Sequence, residues 1–378
     1  MKTSINVENI INKFVKKQNY LNNEHVIGII FYGSYQTGMQ TDISDIDIRI
    51  IFDDTYPNHI YRGRTILDGI TIEYHEEPVS ESYTIIAEDY TNQNKASLAI
   101  YGNSKIIYDK FGEIQKLKDY TLKTFTNPLP YLDNDQLQLH LAILSNRMKH
   151  LEEYAEEDNP YFHHLYHVTL NKIRTYYHKF NALSRVDLSK TFRMYTDHDY
   201  PSAFSITKLP VQEFIEQYFY AITKQELTTK EKYQAIKKLY NITIKGLDFD
   251  EQNHRFRIES RNIGFKHEII LPQIITMTPQ KIPEDISNII TKFIEKQDYL
   301  NNEHCLGIIV YGSSIRKGQA KATSDIDVQI IFDNTEPNHM YRGAMKIDDK
   351  KIEYFEEPID EIYLSIENDY LKSNITKQ

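Results

Sequence analysis

Apolar and polar positions along the chain fall into two kinds of pattern. Val26–Tyr32 and Leu306–Tyr311 are unbroken apolar runs of strand length, and each reads as a buried strand. "SDIDIRIIF" (Ser44–Phe52) alternates instead, which puts Asp45, Asp47 and Arg49 on one face of a strand and Ile46, Ile48 and Ile50 on the other. "GITIEYHEE" (Gly69–Glu77) is a second alternating run and carries Glu73. From about Asp133 to Tyr240 the apolar residues recur at three- and four-residue spacing, so this stretch predicts helices, with Asp133, Asn134 and Thr228 as caps. "HRFRIESRNIGFKHEIILP" (His254–Pro272) reads as a two-stranded piece turning near Asn262–Gly264. The chain is therefore expected to be α+β: a mixed sheet flanked by helices, then a helical bundle, then further strands.

The strand patterns occur twice. "YLNNEHVIGIIFYGS" (Tyr20–Ser34) returns as "YLNNEHCLGIIVYGS" (Tyr299–Ser313), and "SDIDIRIIFDDTYPNHIYRG" (Ser44–Gly63) returns as "SDIDVQIIFDNTEPNHMYRG" (Ser324–Gly343). "IEYHEEP" (Ile72–Pro78) matches "IEYFEEP" (Ile352–Pro358). The period is far too long for a solenoid, so a duplicated domain is expected, with the one-residue length difference placed in a loop. The expected boundaries are residues 1–125 for the first domain, 126–245 for the helical bundle, 246–281 for a β-hairpin connector and 282–378 for a second, partial domain. The second copy is expected to be partial because the sequence stops at Gln378, before any counterpart of "AIYGNSKIIYDKFGEIQKLKD" (Ala99–Asp119).

Composition narrows the class. With 378 residues, 40% of them hydrophobic, the chain is long enough for several cores and too apolar for disorder. No apolar run is long enough to span a bilayer, and the N-terminus lacks a secretory pattern, so a cytoplasmic location is expected. A single cysteine, Cys305, excludes an intrachain disulfide and a multi-cysteine zinc site. The net charge of −10 argues against a nucleic acid polymer as partner and for a small hydroxylated or cationic one.

The repeated chemistry lies between the strands. Carboxylates at i and i+2 on a strand sit roughly 6–7 Å apart, close enough to converge on hard cations such as magnesium. A two-ion site needs a further carboxylate from a neighbouring strand, and Glu73 is placed to supply it. The metal candidates are thus Asp45, Asp47 and Glu73, with Asp325, Asp327 and Glu353 matching them. Gly33-Ser34 closes the first apolar run and Gly312-Ser313 the second. Glycine there lets the backbone approach a ligand, and the following amides with the Ser34 hydroxyl suit a triphosphate.

Gly-Ser, a spacer of about ten residues, Asp-Ile-Asp and a later Glu between apolar neighbours resemble the polymerase-β-type nucleotidyltransferase superfamily. Within it the chain is most similar to bacterial antibiotic nucleotidyltransferases, which place such a domain before a helical bundle. The resemblance implies transfer of a nucleoside monophosphate, AMP from ATP, to a hydroxyl of an aminoglycoside or lincosamide, with magnesium as cofactor, two ions being expected. Asp45, Asp47 and Glu73 would be the catalytic and metal-holding residues. The triphosphate would lie on Gly33, Ser34 and Arg49, with Lys172 or Lys179 reaching it from the bundle. Arg62 and Arg342 of the repeated "NHxYRG" are candidate phosphate contacts or loop anchors. The acidic run Glu152–Asp158 is either a wall for a cationic acceptor or an exposed helix end. Relatives of this kind often build sites across a dimer, so a homodimer or an intrachain pseudo-dimer is expected. A protein or RNA acceptor, as in toxin–antitoxin systems, and an inactive nucleotide-binding module are the alternatives.

Overall fold

The apolar run Val26–Tyr32 and the alternating run after Ser44 pair as antiparallel neighbours in the computed structural model of the chain. The structure describes residues 6–55, 58–224, 226–258, 282–315, 324–336 and 339–371. The first part runs α1 (Val7–Lys17), β1 (Val26–Tyr32), the one-turn α2 (Ser34–Thr37), β2 (Ile46–Phe52), β3 (Tyr61–Leu67), β4 (Ile70–Pro78), α3 (Val79–Thr91), β5 (Lys105–Asp109) and α4 (Glu113–Thr126). Its five strands lie in the order β3-β4-β2-β1-β5. The β2–β4 pair is parallel and the other three pairs are antiparallel.

Both faces of this sheet are covered, which is why β1 is apolar throughout. On one face Ile10, Ile11, Phe14 and Val15 of α1 pack on Ile46, Ile48 and Ile50, the predicted apolar side of β2. On the other, Ile27, Ile30 and Ile51 lie beneath Ile86 of α3, Leu98 and Tyr101 of a π-helical turn, and Ile114 and Leu117 of α4. The helices that follow are α5 (Asn134–Glu156), α6 (Phe162–Phe180), α7 (Thr191–Thr196), α8 (Tyr200–Ala203), α9 (Gln212–Thr223) and α10 (Thr229–Ile244). Two expected caps are formed: Asp133 accepts from the Gln136 amide at 2.7 Å, and Thr228 and Glu231 make a reciprocal capping box.

The C-terminal part comprises β6 (His254–Arg257), α11 (Glu284–Gln297), β7 (Cys305–Tyr311), β8 (Ile326–Phe332), β9 (Tyr341–Ile347), β10 (Lys350–Pro358) and α12 (Ile359–Leu371). A second five-stranded sheet has the order β6-β9-β10-β8-β7, with β8 and β10 parallel. Of the expected connector, the first strand is β6, which pairs antiparallel with β9 at the sheet edge. Its turn near Asn262–Gly264 and its second strand lie outside the described residues. Contacts divide the chain into two compact units, Met1–Leu132 with Leu151–Thr243, and Asp133–His150 with Ile244–Gln378. Among the described residues no helix is long and apolar enough to cross a membrane.

Candidate active site

The parallel register of β2 and β4 sets Asp47 directly beside Glu73. Asp45 lies just before β2, two residues earlier and on the same side as Asp47. One ligand oxygen from each of Asp45, Asp47 and Glu73 lies within 4.8 Å of the other two. Gly33 meets this group from the end of β1. Its φ is +81°, and a Cβ there would stand 1.9 Å from Asp47 Oδ2. Only glycine satisfies both conditions. Glycine at position 33 was expected to let the backbone approach a ligand, and the group it lies against in the structure is the Asp47 carboxylate. Backbone after Gly33 turns at once into α2, with the Thr37 amide bonded to the Gly33 carbonyl.

Crowding three acids leaves the site short of positive charge. Burial, reinforced by Asp45 and then Glu73, pushes the Asp47 carboxyl up to about 7, against the opposing pull of Lys190 and Arg49. Arg64 of β3, opposite Glu73 in the register, donates Nε to Glu73 Oε1 at 3.1 Å. Its terminal nitrogen also bonds Glu73 and stands 3.7 Å from Asp45 Oδ2. The Arg64 side chain is 64% exposed, so it is free to leave the carboxylates. Three convergent carboxylate oxygens, one on a carboxyl destabilised as an anion, fit a hard divalent cation.

Other expected residues are placed differently. Arg49 shares the face of Asp47, but its guanidinium is buried and bonded to both Glu77 oxygens at 2.9 and 2.8 Å and to the Tyr101 hydroxyl at 2.5 Å. It is a structural ion pair under α3, α4 and the π-helical turn, and as a nucleotide contact it is withdrawn. Lys172 lies over the Tyr176 ring at 5.1 Å. Lys179 is half-buried, its ammonium held below the usual range by burial, then by Arg185 and Lys172. The cations that chiefly oppose the rise at Asp47 are Lys190 and then Arg49. Lys190 ends a one-turn helix (Leu188–Lys190) that Asp187 caps through the Ser189 amide. In the acidic run, Glu152 pairs with Lys237 at 3.3 Å and Asp158 accepts from Thr229 at 3.1 Å, so both face α10.

Arg64 and Lys190 were thus not foreseen from the sequence. Arg64 needed the β3–β4 register, and Lys190 sits in an irregular stretch with no periodic signal.

The second repeat retains the backbone and loses the gap. Gly312 has φ +88°, and a Cβ there would be 2.1 Å from Asp327 Oδ2. Asp327 is level with Glu353 in the β8–β10 register. Burial, then Glu353 and Asp325, push the Asp327 carboxyl up to about 6. Yet Lys149 Nζ is 2.8 Å from Asp325 Oδ2, Lys351 Nζ is 2.9 Å from Glu353 Oε1, and Arg342 is 3.7 Å from Glu353. Ser313 Oγ lies 3.4 Å from Ser324 Oγ. Among the described residues, the three first-repeat carboxylates alone are close enough together to hold an ion.

A nucleotidyltransferase domain family matches residues 8–132 and 286–376, together more than half of the chain. No curated protein matches. A solved nucleotidyltransferase-like protein from Exiguobacterium sibiricum is similar at 14% identity, over 63% of this chain and 74% of that one, with a TM-score of 0.36.

Proposed function

The chain belongs to the nucleotidyltransferase domain family, and we propose that its first repeat transfers a nucleoside monophosphate, AMP from ATP, to a hydroxyl of a small acceptor, releasing pyrophosphate. The observation that carries this reading is the convergence of Asp45, Asp47 and Glu73 within 4.8 Å beside Gly33. Those three carboxylates would hold magnesium, two ions on this reading. When bound, the magnesium supplies positive charge against the triphosphate and the departing pyrophosphate.

The remaining chemistry belongs to side chains. Ser34 and the first amides of α2 receive the β and γ phosphates. The acceptor oxygen forms a bond to the α-phosphorus as the bond from that phosphorus to the β-bridging oxygen breaks. Glu73 takes the hydroxyl proton or completes the metal site. Arg64, released from Asp45 and Glu73, turns toward the phosphates it can then neutralise. Lys190 holds Asp47 toward its anionic form. Positioning and electrostatics supply most of the rate. The C-terminal sheet is, on this reading, a second copy in which Asp325 and Glu353 are already paired with lysines.

The resemblance to antibiotic-modifying enzymes puts aminoglycosides and lincosamides at the head of the acceptor panel. Pyrophosphate release from each nucleoside triphosphate, with magnesium and that panel, tests the proposal. Acceptor-dependent release that Asp47→Asn abolishes supports it, and an Asp47→Asn variant that keeps its activity would sink it.

A further inference from the structure

A cavity of about 300 Å³ lies within the first unit, between the segment after α3 and the stretch leading from α6 to α8. Three cations line it: Lys95, Arg185 and Lys190. Among the described residues none of the three side chains makes a hydrogen bond or ion pair. Tyr200 and Phe204 supply apolar wall. The one acid in the lining, Asp187, accepts the Ser189 amide at 2.8 Å and the Ser189 hydroxyl at 2.5 Å on Oδ1, and it offsets part of the charge of Lys190.

Three cations against one acid leave the lining with an excess of positive charge. Lys95 is half-buried, and burial holds its ammonium below the usual range. Arg185 adds to the field that depresses Lys179. Arg185 and Lys190 are exposed and Lys95 is partly buried, so cations of the lining can meet an anion that enters from solvent. The cavity is also tied to the candidate active site: Met39, in the loop after α2, packs on Val186, Met194 and Tyr200 of the lining, and Lys190 acts on Asp47.

We propose that this cavity seats the acceptor, and that the acceptor is a small hydroxylated molecule carrying a phosphate or carboxylate group. This rests on the transfer reading above and reverses the charge expected of an aminoglycoside. The donor is a poor occupant: its phosphates have their place at Gly33-Ser34 and the three carboxylates, and none of those residues lines the cavity. The volume is at the small end for ligand pockets, which suits a sugar phosphate or a small organic acid. Arg185 can take an oxyanion bidentately, with Lys95 and Lys190 as point charges around it.

Isothermal titration of the full chain in EDTA tests this without any transfer reaction. The probes are inorganic phosphate, glucose 6-phosphate and citrate, with glucose and kanamycin as neutral and cationic controls. Saturable binding of at least one anionic probe is expected, with neither control binding. Lys95→Ala and Arg185→Ala should each weaken it tenfold or more, while Lys95→Arg, which keeps charge and bulk, restores it. Asp47→Asn should bind the anion as wild type does, and in a separate titration without EDTA, with glucose 6-phosphate as the anion, magnesium-ATP should bind alongside it. No anion binding, binding indifferent to both alanine variants, displacement by magnesium-ATP, or tighter binding of kanamycin would each overturn the proposal. If anions bind as expected but no triphosphate releases pyrophosphate, the transfer reading fails and the acceptor role with it, and only an anion-binding cavity is left.

Discussion

In the first repeat Ile27 and Ile30 are 4% and 1% exposed, whereas their counterparts Leu306 and Ile309 are 56% and 49% exposed. The strands carrying them have nearly the same sequence, so the difference lies in what covers them. β1 has β5 along its outer edge and α4 across its face, and Ile114 of α4 sits where a Cβ on Gly28 would be, at 2.1 Å. Beside β7 no further strand is found among the described residues, and a Cβ on Gly307 would meet nothing within 4 Å. The second sheet instead gains β6 at its opposite edge. The ion pair Arg49–Glu77, closed over by Tyr101, has no equivalent either, since Gln329 replaces Arg49 and reaches only the Phe355 carbonyl at 3.4 Å. The positions of paired carboxylates recur in a repeat where no matching cover is found among the described residues. Local sequence places the acids, and the surrounding layers decide which charges can reach them.

The largest expected effect separates the two sites by activity. Asp47→Asn should lower pyrophosphate release by a thousandfold or more, in line with loss of a group central to charge stabilisation. Asp327→Asn should change it less than twofold in the same assay. Equal losses would mean that both repeats act in the reaction.

Stability should divide the repeats next. Ile30→Ala removes a fully covered side chain and should cost about 2–4 kcal/mol in urea unfolding, while Ile309→Ala should cost under ~1 kcal/mol. Gly28→Ala should destabilise through the clash with Ile114, and Gly307→Ala should be close to neutral. A costly Ile309→Ala would show that β7 is covered in solution.

Metal binding gives a smaller contrast. In a manganese titration followed by electron paramagnetic resonance, Asp45→Asn should weaken binding about tenfold, an effect of ~1.4 kcal/mol. Asp325→Asn should leave it unchanged, because Lys149 already occupies that carboxylate.

The mildest effect is on pH. Asp47 has a folded pKa of about 7 against an ordinary value of 3.8, so between those values the folded chain holds a proton that the unfolded chain has released. Its stabilising contribution is complete below about pH 4 and is lost as pH rises through 7. Metal-free protein should therefore lose on the order of 1 kcal/mol between pH 5 and pH 8, and Asp47→Asn should remove that slope in thermal melts. Metal affinity should run the other way, rising with pH as the competing proton leaves.

Much of this architecture was legible in the chain. Alternation in "SDIDIRIIF" places Asp45 and Asp47 together because side chains on a strand repeat every two residues, and it buries Ile46, Ile48 and Ile50 as expected. Capping chemistry marks where α5 and α10 begin, since Asp133 and Thr228 bond amides only three residues away. Glu73 was found by its alternating run, and its place beside Asp47 follows from the parallel register.

Arg49 shows where such reasoning stops. Alternation puts it on the face of Asp47, but whether that face is open or roofed depends on α3, α4 and Tyr101, which are distant in the chain. Arg64 and Lys190 were invisible for the same reason: one reaches the acids through strand pairing and the other through packing of an irregular segment. Periodicity and capping are short-range, set by backbone geometry within a few residues, and the sequence specifies them directly. Burial, counter-charge and the shape of a cavity are sums over layers brought together by folding, so the same Ser-Asp-Ile-Asp joins a cluster able to hold an ion in one place and in the other sits where lysines pair with Asp325 and Glu353.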